Sequence, residues 1–139
     1  MHLNAFERRV TAAVFDALLP GNASAPAARD HDLIGAHERM LTAMPKPHAC
    51  GFRAAFVAAE LGLPLVLLGR PGRFSALDLA SRELAMKRLV YHRVYLARQV
   101  GLLFKTAAGF AYFQIDAVRA HFRLPPVADP GEAPVRSVA

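Results

Sequence analysis

Residues 74–126 decide the fold class, and they read FSALDLASRELAMKRLVYHRVYLARQVGLLFKTAAGFAYFQIDAVRAHFRLPP. Apolar side chains recur in this stretch at intervals of three and four residues, which is the spacing of one face of a helix. One such stripe consists of Met86, Val90, Val94, Ala97, Gly101, Phe104, Ala108 and Ala111. Asp78 or Ser75 is a suitable N-cap in front of it, and Asp116 is suited to cap a short helix behind it. The pattern therefore predicts a long C-terminal helical region.

The N-terminal part of the chain also carries helix start and stop signals. Asn4 is followed three residues later by Glu7, which is the spacing of a capping box. Apolar residues at helical spacing follow, and Pro20 ends the run. Asp30 or Asp32 is suited to cap a second helix through about residue 43.

A third helix is predicted from about residue 49 to residue 61. We expect it to end there, because Gly62 and Pro64 are both poor helix formers. The apolar run 65–68 fits one helical turn or a buried strand. We assign it to a helix, since the chain offers no second strand to pair with it.

Length and composition agree with one globular domain. The chain has 139 residues, of which 54% are hydrophobic and 20% are charged, and these values are typical of a folded protein. We expect an all-α fold, a compact helical bundle of about five to six helices. The single domain would cover residues 1–125, and residues 126–139, which are rich in proline, would form a flexible tail.

The net charge of +6 is compatible with nucleic acid, an anionic membrane surface or an acidic protein partner. The arginines are dispersed and no aromatic platform lies among them, so we expect no nucleic acid as a partner. Peripheral membrane contact stays open. A segment from Val94 to Phe113 is long enough to span a bilayer, but Arg98 and Lys105 within it oppose insertion.

The cellular location is predicted from two features. Cys50 is the single cysteine, so no internal disulfide can form, and a reduced compartment is the simplest inference. Glu7, Arg8 and Arg9 stand where the apolar core of an export signal would follow a basic start. We therefore expect a cytoplasmic protein.

No catalytic, cofactor-binding or metal-binding residue is assigned. The polar residues around the second helix lack the spacing of a helical zinc site, so we interpret them as a capped helix start; they are Asp30, His31, Asp32, His37 and Glu38. His48 and Cys50 are close in sequence, but a nucleophilic pair also needs an orienting group, and we interpret Cys50 as structural. His92 or His121 could act as a catalytic base, but the sequence offers neither of them an orienting carboxylate at a suitable position.

The long C-terminal region combines basic and aromatic side chains, a composition enriched in the hot spots of protein interfaces. The predicted partner-interface residues are Arg88, Arg93, Tyr95, Lys105, Tyr112 and Phe113.

The order of features in residues 74–126 resembles a known family. It is similar to the small (gamma-type) subunit of gluconate 2-dehydrogenase-like flavoproteins and to the N-terminal helical region of long-chain alcohol oxidases of the glucose-methanol-choline family. The residues that carry the resemblance are Phe74, Leu77, Arg82, Leu89, Arg93, the Tyr112-Phe113 pair and Val118–Pro126. The family's closing glycine-aromatic-proline pattern is replaced here by residues 122–125, and residues 22–73 have no recognised counterpart.

This resemblance implies a non-catalytic accessory subunit of a two-component, FAD-dependent alcohol, sterol or sugar oxidoreductase. The partner would be a large flavoprotein that holds the FAD, and this chain would bind no cofactor itself. It would stabilise the catalytic subunit and shape its hydrophobic substrate entrance.

The alternative is a stand-alone helical module that encloses an apolar ligand such as a fatty acid or a sterol. The side chains expected around that ligand are Phe52, Phe56, Leu65, Leu68 and Phe104.

Overall fold

The computed structural model describes residues 2–127, and this part of the chain folds into six α-helices without a named strand. The helices are α1 (Ala5–Leu18), α2 (Leu33–Ala43), α3 (Lys46–Leu68), α4 (Leu79–Val90), α5 (Tyr95–Tyr112) and α6 (Asp116–His121). Two short 3₁₀ helices, Ala28–Asp30 and Phe74–Ala76, precede α2 and α4. The predicted all-α class is confirmed. The tail predicted over residues 126–139 lies, apart from residues 126 and 127, outside the described residues.

Helix α1 begins at the predicted capping box. The Asn4 side chain accepts a hydrogen bond from the Glu7 N–H at 2.9 Å, and the Glu7 carboxylate accepts one from the Asn4 N–H at 2.8 Å. The same carboxylate accepts two hydrogen bonds from the Arg53 guanidinium, at 2.7 and 2.8 Å. These bonds hold the pKa of Glu7 below its usual value. They also fix the start of α1 against α3, and α1 packs against α2, α3, α4 and α5.

The capping of the other helices is settled by their side-chain bonds. Asp32 caps α2, since its carboxylate accepts a hydrogen bond from the Gly35 N–H at 2.9 Å. Asp78, not Ser75, caps α4. The prediction for α6 was wrong by one residue, because Ile115 is its N-cap and Asp116 is its first helical residue.

Helix α3 does not end at residue 61 as predicted but continues through Gly62 and Pro64 to Leu68. Pro64 has no N–H, so the Glu60 carbonyl loses its partner within the helix. Leu63 and Leu67 on either side of the proline are buried in the core, whereas Leu65 and Val66 are exposed. The burial of this one face maintains the helix through the defect. The helix ends at Gly69, which adopts a left-handed conformation with φ of 65°.

The long C-terminal region is broken, since α4 ends at Val90 and α5 begins at Tyr95. A continuous helix would be about 50 Å long, well beyond the roughly 30 Å diameter of a small domain. At the break, the His92 Nδ1 accepts a hydrogen bond from the Val94 N–H at 3.1 Å. Helix α5 then packs back on α4, and Gly101 lies against the backbone of Val90. The apolar stripe that was predicted for one continuous helix is therefore divided between α4 and α5, which pack against each other.

Four aromatic rings from four helices meet in the core. The Phe56 ring of α3 lies 4.8 Å from Phe104 of α5 and 5.9 Å from Phe15 of α1, measured between ring centroids. His37 of α2 completes the group, with its ring 5.4 Å from that of Phe15. All four side chains are buried, so this cluster connects α1, α2, α3 and α5.

One carboxylate, Glu60, is completely buried in α3. It accepts hydrogen bonds from the Ser75 N–H at 2.8 Å and from the Ser75 hydroxyl at 2.6 Å. These bonds join α3 to the segment that leads into α4.

Replacing Glu60 with alanine is expected to lower the free energy of unfolding by about 2 kcal/mol, because the two partly buried donors of Ser75 lose their acceptor. Urea denaturation of both proteins measures this difference. Ser75→Ala is the matched control, and it should cost about half as much, since the backbone N–H keeps its partner. A Glu60→Ala protein as stable as the wild type would contradict this role.

Candidate functional site

The surface around the break between α4 and α5 exposes large apolar side chains. We call this surface the docking patch, and it consists of Leu65, Val66, Leu84, Tyr91, Val94, Tyr95 and Leu96. Val66, Tyr91 and Leu96 are 74%, 75% and 72% exposed. Val66, Leu84 and Tyr91 line one depression of this surface, and Val66 and Val94 line another. Exposed apolar side chains that are grouped in this way are typical of an interaction site.

Two adjoining depressions lie in this surface. The first, which we call the basic cavity, has a volume of about 680 Å³ and lies between the end of α3 and α4. Its residues are Val66, Leu67, Leu84, Lys87, Arg88, Tyr91, His92 and Arg93. The second, which we call the apolar groove, has a volume of about 350 Å³ and lies between α3 and α5. Its residues are Ala55, Ala58, Ala59, Gly62, Leu63, Val66, Leu67, Leu89, His92, Val94, Ala97 and Val100.

The basic cavity is lined by three cations and by no acidic residue from the described part of the chain. Among residues 2–127, Lys87, Arg88 and Arg93 take part in no ion pair. Arg88 is held in place by its Nη1, which donates a hydrogen bond to the Leu67 carbonyl at 2.6 Å. This bond also satisfies a carbonyl in the last turn of α3. The depression thus combines apolar walls with three cationic groups.

The structure brings three of the six predicted interface residues together. Arg88 and Arg93 line the basic cavity, and the exposed Tyr95 follows at the start of α5, where the Arg98 guanidinium lies 5.6 Å from its ring centroid. Lys105 and Phe113 are also exposed. They lie about 15 and 27 Å further along α5, given the rise of a helix, and so belong to a different part of the surface.

Tyr112 is a core residue, and this corrects its assignment to the interface. Its side chain is 3% exposed, and its hydroxyl donates a hydrogen bond to the Pro26 carbonyl at 2.8 Å. Burial raises the pKa of this hydroxyl. The neighbouring Phe113 packs on Tyr112 and on Phe122.

The ligand pocket predicted around Phe52, Phe56, Leu65, Leu68 and Phe104 is not formed. Phe56 and Phe104 are in direct ring contact in the core, and Leu65 is exposed. The apolar groove lies instead on the side of α3 that carries alanines and Gly62. The small residues at positions 55, 58, 59 and 62 indicate this groove in the sequence. The prediction missed it because it ended the helix at residue 61, so these residues did not lie on one continuous helical face.

The polar candidates have structural roles. No group of three or more potential metal ligands occurs among residues 2–127. His37 lies in the aromatic core, and the Glu38 carboxylate accepts hydrogen bonds from the Leu3 N–H and from Arg8. His48 and Cys50 lie in the first turns of α3, where both side chains are exposed.

Helix α3 is the one helix of the described residues that is long and apolar enough to cross a membrane, by length and composition only. A third of its most apolar window is buried inside the fold. The segment from Val94 to Phe113 does not meet this criterion.

Fold and surface together define a small all-α bundle with an exposed apolar patch beside a basic cavity. Comparison with known proteins finds no family model that matches the chain, and neither a curated protein nor a solved structure with significant similarity.

Proposed function

We propose that this chain is the non-catalytic small subunit of a two-component, FAD-dependent oxidoreductase of the glucose-methanol-choline type, acting on an alcohol, a sterol or a sugar. The flavin and the catalytic base belong to the large partner. This chain binds that partner in the cytoplasm, stabilises it and contributes to its hydrophobic substrate entrance.

The observation that carries the proposal is the docking patch. Val66, Tyr91 and Leu96 are each more than 70% exposed, and each large apolar side chain that a partner covers contributes about 1.5–3 kcal/mol when it is fully buried. Tyr91 and Tyr95 belong to this patch, and Arg93 lies beside it. Tyrosine and arginine are enriched at interface hot spots.

Charge supports a particular kind of partner surface. The uncompensated Lys87, Arg88 and Arg93 favour a partner that presents carboxylates around an apolar centre, because opposite charges steer association and fix its orientation. A flavoprotein subunit with an acidic rim around an apolar site meets this requirement.

The proposal is tested by purifying the tagged chain from its native cell and identifying what comes with it by mass spectrometry. The expected result is a large flavoprotein at a one-to-one ratio, with the absorbance spectrum of bound flavin. A chain that is purified alone, well folded and colourless would contradict the proposal.

A further inference from the structure

We propose that the apolar groove and the basic cavity together form a binding site for a single-chain carboxylate of the fatty-acid class. The hydrocarbon chain occupies the groove, and the carboxylate binds at Lys87, Arg88 and Arg93. It does not rest on the proposed function, although Val66 and the three cations also belong to the surface assigned to the partner: the fatty acid binds there in the chain that is free of the partner.

The shape of the groove fits one hydrocarbon chain. Its volume of about 350 Å³ falls in the range of small-molecule sites. Ala55, Ala59 and Gly62 form its floor along α3, and their small side chains leave the space open. From Ala55 to Val66 the groove follows α3 for about 16 Å, which is comparable with the length of an extended chain such as that of laurate.

The two depressions are continuous. Val66, Leu67 and His92 line both of them, so a chain in the groove places its end at the basic cavity. The His92 Nδ1 accepts a hydrogen bond from the Val94 N–H. The neutral ring therefore carries its hydrogen on Nε2 and presents a donor at the boundary between the apolar and the basic part.

Charge complementarity selects the acid over a neutral lipid. Lys87 and Arg93 have no ion pair among the described residues, and Arg88 keeps further N–H groups beyond the one bound to Leu67. Guanidinium groups bind carboxylates with strong, charge-assisted hydrogen bonds. A sterol or a fatty alcohol would leave these cations without a partner.

The chain offers a matched pair of variants for testing the groove. Gly62 lines the groove, and a Cβ there meets no atom within 4 Å, so Gly62→Phe can introduce a bulky side chain at the groove without a clash at its first atom. Gly51 is equally unobstructed, belongs to the same helix and lies about 16 Å away along it. There it lines a separate depression of about 400 Å³ with Phe52 and Leu103, so its variant distinguishes the groove from another apolar depression. Gly51→Phe is therefore the control, and circular dichroism of both variants checks that the helix content is unchanged.

The experiment is calorimetric titration of laurate into the purified full chain. We expect saturable one-to-one binding that Gly62→Phe weakens by at least about tenfold and Gly51→Phe leaves unchanged. The double variant Lys87→Glu, Arg93→Glu should weaken laurate binding by a similar factor while leaving dodecanol binding unchanged. Absence of laurate binding, equal binding by Gly62→Phe, or dodecanol binding as tight as laurate would each overturn the proposal. Because no partner is present, such a failure says nothing against the accessory-subunit role.

Discussion

Replacing Gly101 with leucine is expected to lower the free energy of unfolding by about 3 kcal/mol. A Cβ at this position would lie 2.9 Å from the Cα and N atoms of Val90. Backbone atoms cannot rotate away as a flexible side chain can. Relieving this clash therefore requires α4 and α5 to move apart where they pack against each other. Urea denaturation measures the change through the midpoint, provided that the slope stays constant.

Gly109 is the control for this experiment. It also lies within α5, but a Cβ there meets nothing within 4 Å. Gly109→Ala should therefore raise the free energy of unfolding by up to about 1 kcal/mol, through the higher helix propensity of alanine. Gly101→Ala should lower it. Equal effects of the two alanine substitutions would show that α4 and α5 do not cross at Gly101.

Acidification from neutral pH to about pH 4 is expected to remove about 3 kcal/mol of stability through His37 alone. Burial lowers the pKa of His37 from 6.5 to about 4, and the negative charge of Glu38 opposes this only in part. In the unfolded chain the imidazole takes up its proton near pH 6.5, whereas in the folded protein it stays neutral until about pH 4. The stabilisation is therefore complete above pH 6.5 and is lost progressively between these two values.

Replacing His37 with leucine should remove the part of the loss that His37 causes, so that the remaining loss is confined to the acidic end of the window, where carboxylates with a lowered pKa such as Glu7 begin to contribute. The variant should be about as stable as the wild type at neutral pH, because the His37 Nδ1 is buried without a hydrogen-bond partner and an apolar side chain removes that cost. The exposed His48 is the control, and His48→Leu should keep the wild-type pH profile. Thermal unfolding between pH 4 and pH 7.5 measures all three proteins. An unchanged slope in His37→Leu would contradict the buried, neutral imidazole.

The starts of α1, α2 and α4 were predictable from the sequence, because capping is local, whereas α3 starts at Lys46 and not at about residue 49 and has no side-chain cap. Asn4 with Glu7, Asp32 and Asp78 each bind an N–H group within three residues, and such signals depend on neighbours in the chain. The end of α3 was not predictable in this way. The propensity of Pro64 favours a break, whereas the burial of Leu63 and Leu67 on one face, a tertiary effect, favours the helix.

The site was only partly predictable, for the same reason. The turn between α4 and α5 contains neither glycine nor proline, and it forms because α5 packs back on α4 at Gly101. Once that reversal is known, Arg88 and Arg93 lie at one cavity and Tyr112 lies in the core. The apolar stripe of residues 86–111 therefore indicated helix correctly, but it could not indicate which aromatic side chains face solvent.

The most direct test of the central claim compares two exposed apolar positions of the tagged chain in its native cell. Val66 belongs to the docking patch and is 74% exposed, and Phe110 is 61% exposed near the other end of α5. We expect Val66→Glu to abolish the one-to-one recovery of a flavoprotein, because a carboxylate enters the apolar interface, and Phe110→Glu to leave the recovery at the wild-type level. Recovery that is kept by Val66→Glu and lost in Phe110→Glu, or a wild-type chain that recovers no flavoprotein, would contradict it.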